Sequence, residues 1–322
     1  MMIGLVLILI GEFVRSYAGV VGLFAGTAII GIGIAIGNVI IPAIIKLHFS
    51  DKVGLITSIY TSGMCIFAAV GAGISIPLAK GLDLGWHHAL SSWFILTIIT
   101  ICIWLPQVIK KKTPNNQIKV EKTVEQTKKS KSIWSSGLAW WVTIFMGIQS
   151  LIFYSLVAWL PTMIVSKGLS EDFSGTMALV FQLMAIPATL VIPILTGKFK
   201  NQKGLVLVTC IIYLTGMLIF LFATSVGAVA TAVVFMAIGM GGSISLSIAF
   251  ISLRSPNSKR ASELSGMSQS AGYLLAAVGP TLAGAISEAE GGWISTLVLL
   301  TVLIAILAVC GLFAGANKTV EE

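Results

Sequence analysis

The chain has 322 residues, of which 57% are hydrophobic and only 10% charged, with a mean hydropathy of +1.00. A soluble domain carries roughly a quarter charged residues, so this composition excludes one and indicates an integral membrane protein partnered by a lipid bilayer. The net charge of +8 does not indicate nucleic acid, because the bases fall between apolar runs instead of gathering on one soluble module.

A helix needs about 20 apolar residues to cross the hydrocarbon core. On that measure ten spans are expected: 1–16, 20–44, 54–78, 88–108, 137–159, 174–196, 204–223, 227–251, 264–286 and 293–315. The first is short. Ser16–Gly19 and Gly291-Gly292 form tight connectors, and the one long connector, 109–133, is polar and Lys-rich and reads as a flexible linker. The domains expected are therefore 1–108, the linker 109–133, and 134–322.

Counting bases orients the chain. With Met1 starting inside, 17 of the 20 Lys and Arg fall on the inner side, and only Arg15, Lys80 and Lys167 fall outside. The outer connectors carry Asp83, Glu171, Asp172, Glu288 and Glu290 instead. This asymmetry predicts a multi-pass protein of the cell membrane with both termini cytoplasmic.

The second span contains Gly31–Lys46, GIGIAIGNVIIPAIIK, apolar except at Asn38. Its glycines and Pro42 suit a bilayer, where small residues allow helices to approach and packing re-satisfies freed backbone groups. The stretch recurs at an offset of 208 residues: Ile30, Gly31, Gly33, Ile36, Ile40 and Lys46 stand opposite Ile238, Gly239, Gly241, Ile244, Ile248 and Arg254. Ala68–Gly71 likewise stand opposite Ala276–Gly279, and Lys52 opposite Arg260. Spans one to four thus correspond to spans seven to ten. Spans five and six have no upstream counterpart, so the pattern is that of a protein of two six-span halves lacking its first two spans.

Two six-helix halves joined by a basic loop resemble the major facilitator superfamily of secondary transporters. Gly197–Gly204, GKFKNQKG, resembles that family's G-x-L-x-D-R-x-G loop, with Asn201 at the acidic position. Gly147–Ser170, Phe181–Leu195 and Gly37–Lys46 resemble the cyanate and 2-nitroimidazole permease branch, whose first-helix Asn-Leu-Arg-Pro motif has no counterpart here. The resemblance implies an all-α, two-half helical bundle with ten transmembrane helices of an expected twelve. It also implies a cavity lined by spans two, five and eight.

Polar groups at membrane depth are functional candidates by default, the alternative being a hydrogen bond that only holds the bundle. The substrate-binding candidates are Asn38, Gln149, Tyr154, Gln182, Ser243 and Ser247. Ser150 and Tyr154, four apart, share a face with Gln149 beside them. Tyr154 could equally belong to an interfacial aromatic belt, and Ser243 and Ser247 could bond their own backbone. Gln269 and Tyr273 form a similar pair. Glu12 and Arg15, three apart, are the coupling candidates, with a structural ion pair as the alternative. His87-His88 read as interface residues.

The four cysteines lie in apolar spans without metal-ligand spacing, so neither metal nor other cofactor is expected. No G-x-x-x-x-G-K-[ST], H-E-x-x-H or G-x-S-x-G sequence occurs, which argues against an enzyme. The expected function is secondary active transport, by a monomer, of a small polar or anionic solute with or without a coupling ion, impaired by the missing spans. The alternatives are efflux of drugs or other hydrophobic compounds, and a non-transporting membrane remnant or scaffold.

Overall fold

The computed structural model describes residues 1–76, 78, 85–110 and 132–321. Lys80, Asp83 and positions 111–131 of the expected linker lie outside the described residues. Eleven α-helices occur among the described residues: α1 (Met2–Tyr17), α2 (Gly19–His48), α3 (Val53–Ile76), α4 (Gly85–Ser91), α5 (Phe94–Lys110), α6 (Gly137–Val165), α7 (Glu171–Lys198), α8 (Lys203–Phe222), α9 (Val226–Leu253), α10 (Ser258–Glu290) and α11 (Ile294–Ala314). Nine stretches among them are long and apolar enough to cross a membrane. The first expected span, α1, is the tenth; its 16 residues give about 24 Å of helix at about 1.5 Å per residue, short of a hydrocarbon core of about 30 Å.

The fourth expected span is broken into α4 and α5. The hydroxyls of Ser91 and Ser92 bond back to the carbonyls of His88 and Ala89 at 3.2 and 2.8 Å. Such local bonds offer the backbone an alternative to a continuing helix.

The chain divides into two compact units, residues 1–40 with 73–132, and residues 41–72 with 133–322. The boundary at residue 40 falls inside α2, beside Pro42, which lacks the N–H that the carbonyl of residue 38 would accept. The first unit is built on an α1–α2 hairpin. Gly19, at φ 63°, makes the turn in a left-handed conformation that glycine adopts without strain. The two helices run antiparallel in near backbone contact: a Cβ on Gly33 would lie 2.6 Å from the Gly4 carbonyl, and one on Gly26 would lie 2.3 Å from the Arg15 nitrogen. α4 and α5 pack against α1.

The second unit holds the main core. Its α8–α9 hairpin is again drawn close at glycines, with Gly239 against Tyr213 and Gly216 against Met236. Shifted by 208 residues, the Gly33–Gly4 contact falls one residue from the Gly239–Tyr213 register, while the Gly26–Arg15 contact does not. The repeat seen in sequence is therefore one of small residues at a hairpin contact, not of identical contacts. Side-chain oxygens of Ser170, Ser225 and Asn257 accept from backbone N–H groups at the starts of α7, α9 and α10, and Gly291 ends α10 in the left-handed conformation.

α3 is held on α7 by hydroxyls: Ser58 donates to the Leu190 carbonyl at 2.7 Å, Thr61 to the Thr189 carbonyl at 3.2 Å, and Ser62 pairs with the Thr189 hydroxyl at 3.0 Å. Gly54 lies against the Pro193 carbonyl. At the end of the unit where α9 finishes, buried Arg254 donates to the carbonyls of Ala314 and Gly315 at 2.8 and 3.2 Å and to Gln202 Oε1. The Val320 N–H returns to the Arg254 carbonyl at 2.9 Å.

Candidate functional site

Several polar candidates of the second unit lie on α6 and α10, which run side by side. Glycines set that contact: Gly147 meets Gly272, a Cβ on Gly279 would lie 2.7 Å from Ser155 Oγ, and one on Gly284 would lie 2.7 Å from the Trp159 ring. Gly147 with Gly272 and Trp159 with Gly284 keep one constant spacing, so the two helices are parallel and in fixed register. Trp159 locks it by donating its indole N–H to the Pro280 carbonyl at 2.8 Å. At this register Gln149 stands at the level of Tyr273 and Leu274.

Three phenols gather here. Tyr154 of α6 and Tyr60 of α3 lie in the neighbourhood of Tyr273 of α10. Tyr154 is 44% exposed, and Tyr60 and Tyr273 are half-buried. Tyr154 and Tyr273 are legible in the sequence. Tyr60 is not, because span three shows nothing that sets one tyrosine above its Thr and Ser neighbours.

Two buried amides, one on α6 and one on α10, each have an unused atom. Gln149 is 1% exposed; its Oε1 accepts from Ser150 at 3.2 Å, and its Nε2 has no partner among the described residues. Gln269, one turn before Tyr273, donates from Nε2 to Ser265 at 3.1 Å and leaves Oε1 without a partner. Buried amide atoms are normally satisfied, so each unused atom, Gln149 Nε2 and Gln269 Oε1 about five residues apart in the register, marks a place where a ligand group or water belongs.

The other candidates are placed differently. Ser243 and Ser247 are fully buried, and their hydroxyls donate to the Met240 and Ser243 carbonyls, both at 2.9 Å. That is the backbone-bonding arrangement. Gln182 is half-buried on α7. Asn38 is half-buried on the part of α2 that belongs to the first unit.

Glu12 is 7% exposed between α1 and α5. Thr97 donates to its Oε1 at 3.1 Å, while Glu12 Oε2 and Arg15 Nε have no partner among the described residues. No ion pair joins Glu12 to Arg15 among the described residues, although the guanidinium charge reaches it. Next along, Ser16 donates to the Glu12 carbonyl, His87 Nδ1 pairs with the Ser16 carbonyl, and Tyr17 pairs with Ser91 at 2.9 Å. The two histidines thus pack within the first unit, against Tyr17.

Among known proteins, the family model described as Major Facilitator Superfamily matches residues 1–262 and 167–321. The uncharacterized transporter YycB of Bacillus subtilis (strain 168) is 40% identical over 320 residues, covering 99% of this chain and 78% of its own length. The 2-nitroimidazole transporter of Escherichia coli (strain K12) is 36% identical over 320 residues, covering 98% of this chain and 78% of its own. A solved structure of the proton:xylose symporter XylE bound to 6-bromo-6-deoxy-D-glucose superposes with a TM-score of 0.78 at 15% identity, covering all of this chain and 81% of its own.

Proposed function

The chain belongs to the major facilitator superfamily, and from that premise we propose that it moves a small polar solute across the membrane by secondary active, alternating-access transport. The solute is bound among Tyr60, Tyr154, Tyr273 and Gln149. The observation that carries this is the buried Gln149 amide, whose Nε2 has no partner among the described residues and which stands at the level of Tyr273 in the α6–α10 register. The repeat supports two transporting halves, 1–108 and 134–322, and the base asymmetry supports cytoplasmic termini in the cell membrane. The transporter acts as a monomer.

Gln149→Leu tests the site. Among the described residues the one hydrogen bond to the Gln149 side chain comes from buried Ser150, and replacing both partners by apolar side chains is close to neutral for stability, so the change is made together with Ser150→Ala. The variant is expected to keep its thermal midpoint in detergent and to lose uptake into proteoliposomes by at least about tenfold, equivalent to about 1.4 kcal/mol. 2-Nitroimidazole, after which one relative is named, is the first solute to try. Undiminished uptake by the Gln149→Leu, Ser150→Ala variant would remove this residue and the reading built on it.

For coupling, Glu12 is the proposed proton carrier, supported by its buried and half-satisfied carboxylate. Glu12→Gln is expected to leave solute counterflow intact and to abolish acceleration by an inward proton gradient. If gradient-driven uptake survives, Glu12 serves only to join α1 to α5 through Thr97. Outward movement of hydrophobic compounds is a second reading, favoured by the absence of charged residues from the middle of α3 and α6–α11. Raised drug resistance on overexpression, without solute import, would decide for it.

A further inference from the structure

We propose that the end of the second unit where α7, α9 and α11 finish is a docking surface for anionic phospholipid headgroups. Five lysines meet the phosphates, and Phe199 enters the membrane interface beside them.

One hydrogen-bonded network holds this end together. The Gln202 N–H donates to the Gly315 carbonyl at 3.1 Å, and the Val320 N–H to the Arg254 carbonyl at 2.9 Å. The Arg254 guanidinium joins the two by reaching Gln202, Ala314 and Gly315. Glu321, next to Val320, accepts from Arg260 at 2.9 Å. The α7–α8 connector, the start of α10 and the chain after α11 therefore form one platform. Lys198, Lys200 and Lys203 stand on it at the connector, Lys259 beside Arg260, and Lys318 between Gly315 and Val320, and all five are exposed. The carboxylates nearby leave this charge uncompensated. Glu263 and Glu321 both pair with Arg260, and no ion pair reaches any of the five lysines among the described residues. Asp51, near the start of α3, has Lys52 next to it.

Two further observations favour a lipid over a soluble anion. First, exposed aromatic rings collect at the same end. Phe199 lies between Lys198 and Lys200, and Phe313 stacks on Trp141 where α11 finishes. Trp134 and Trp140 pack edge to face where α6 begins, level with the start of α10 in the register of those two helices. Aromatic side chains gather at the depth of the headgroups. Second, Phe199 is presented by a fixed backbone. Buried Gln202 donates from Nε2 to the carbonyls of Thr196 and Phe199, which sets the path of the connector while the Phe199 ring stays 52% exposed. Lysines on both sides of an exposed ring, at the end of a membrane-spanning helix, put charge at the phosphates and the ring in the interface. Clusters of bases beside such helices bind anionic lipid in this way.

Dioleoylphosphatidylglycerol and dioleoylphosphatidylcholine share their acyl chains and differ in net charge. Each is titrated into the full chain in detergent, and bound lipid is counted by native mass spectrometry. Phosphatidylglycerol is expected to bind at least about tenfold more tightly than phosphatidylcholine. Lys198→Gln, Lys200→Gln and Lys203→Gln made together are expected to remove that preference. The thermal midpoint of the lipid-free variant should be unchanged, because the three side chains make no ion pair that could be lost. The same three positions changed to Arg, which keeps the charge, are expected to keep the preference. Phe199→Ser is expected to weaken both lipids. Equal binding of the two lipids, a preference that survives the glutamine variant, or phosphatidylglycerol binding indifferent to Phe199→Ser would each overturn the proposal. Displacement of phosphatidylglycerol by glycerol 3-phosphate at equal concentration would overturn it too, since the surface would then be a site for a free phosphate.

Discussion

Gly239→Val is expected to prevent recovery of a folded protein, whereas Gly31→Val, at the matching place in the repeat, is expected to be tolerated. A Cβ on Gly239 would lie 2.3 Å from the Tyr213 Cβ and 2.5 Å from its Cα, well inside contact distance. Tyr213 is fully buried and has nowhere to retreat, so α8 and α9 must part along the hairpin. Overpacking a well-filled contact destabilises by about 1–3 kcal/mol when side chains can yield. Here backbone must yield as well, so about 3 kcal/mol or more is expected. Gly31, in contrast, has no atom within 4 Å that a Cβ would meet. The measurement is the share of monodisperse protein after detergent extraction, with the thermal midpoint of what is recovered. Equal behaviour of the two variants would show that the α8–α9 contact is softer than its distances imply.

The same pair of glycines shows what the sequence can and cannot disclose. Small residues at Gly31, Gly33, Gly239 and Gly241 mark close helix approach in general, and the constant offset shows that two hairpins are related. Which glycine carries the contact depends on helix rotation, and rotation is set by neighbours far away in the chain. Gly33 meets α1 and Gly239 meets α8, while Gly241 meets the Ala185 carbonyl of α7. The apolar spans were legible for a related reason: hydropathy reports burial in the bilayer directly, and nine of the ten expected spans are long and apolar enough to cross a membrane among the described residues. The resemblance to the 2-nitroimidazole permease branch stands on the same footing, since the quoted segments belong to a chain 36% identical to such a transporter. The break between α4 and α5 was not legible, because Ser91 and Ser92 suit a helix and a break equally until their hydroxyls choose acceptors. The candidate site was half legible. Gln149, Tyr154, Gln269 and Tyr273 stand out as polar residues in apolar runs, but Tyr60 joins them only through the packing of α3 on α7.

Arg254→Leu is the other change expected to be severe. Its guanidinium is the donor for the Ala314 and Gly315 carbonyls and for Gln202 Oε1, so one side chain ties the end of α9 to the α7–α8 connector and to the end of α11. Burial pushes its pKa down to about 10, which still leaves it charged at neutral pH. Removing it strands acceptors that are closed to solvent, a change that destabilises by about 3 kcal/mol. The partner explains a departure from the family loop. Gln202 occupies the Arg position of G-x-L-x-D-R-x-G, and it does so beside Arg254, where a second guanidinium would face the first. Gln202→Arg alone is therefore expected to destabilise through like-charge contact, and Arg254→Gln alone, like Arg254→Leu, through loss of the guanidinium donor. Gln202→Arg with Arg254→Gln, which exchanges the two groups, should recover part of both losses. A thermal-midpoint cycle across the four proteins measures that coupling. Strict additivity of the two single changes would mean that Arg254 and Gln202 act independently, and that the connector is held by the α11 carbonyls alone.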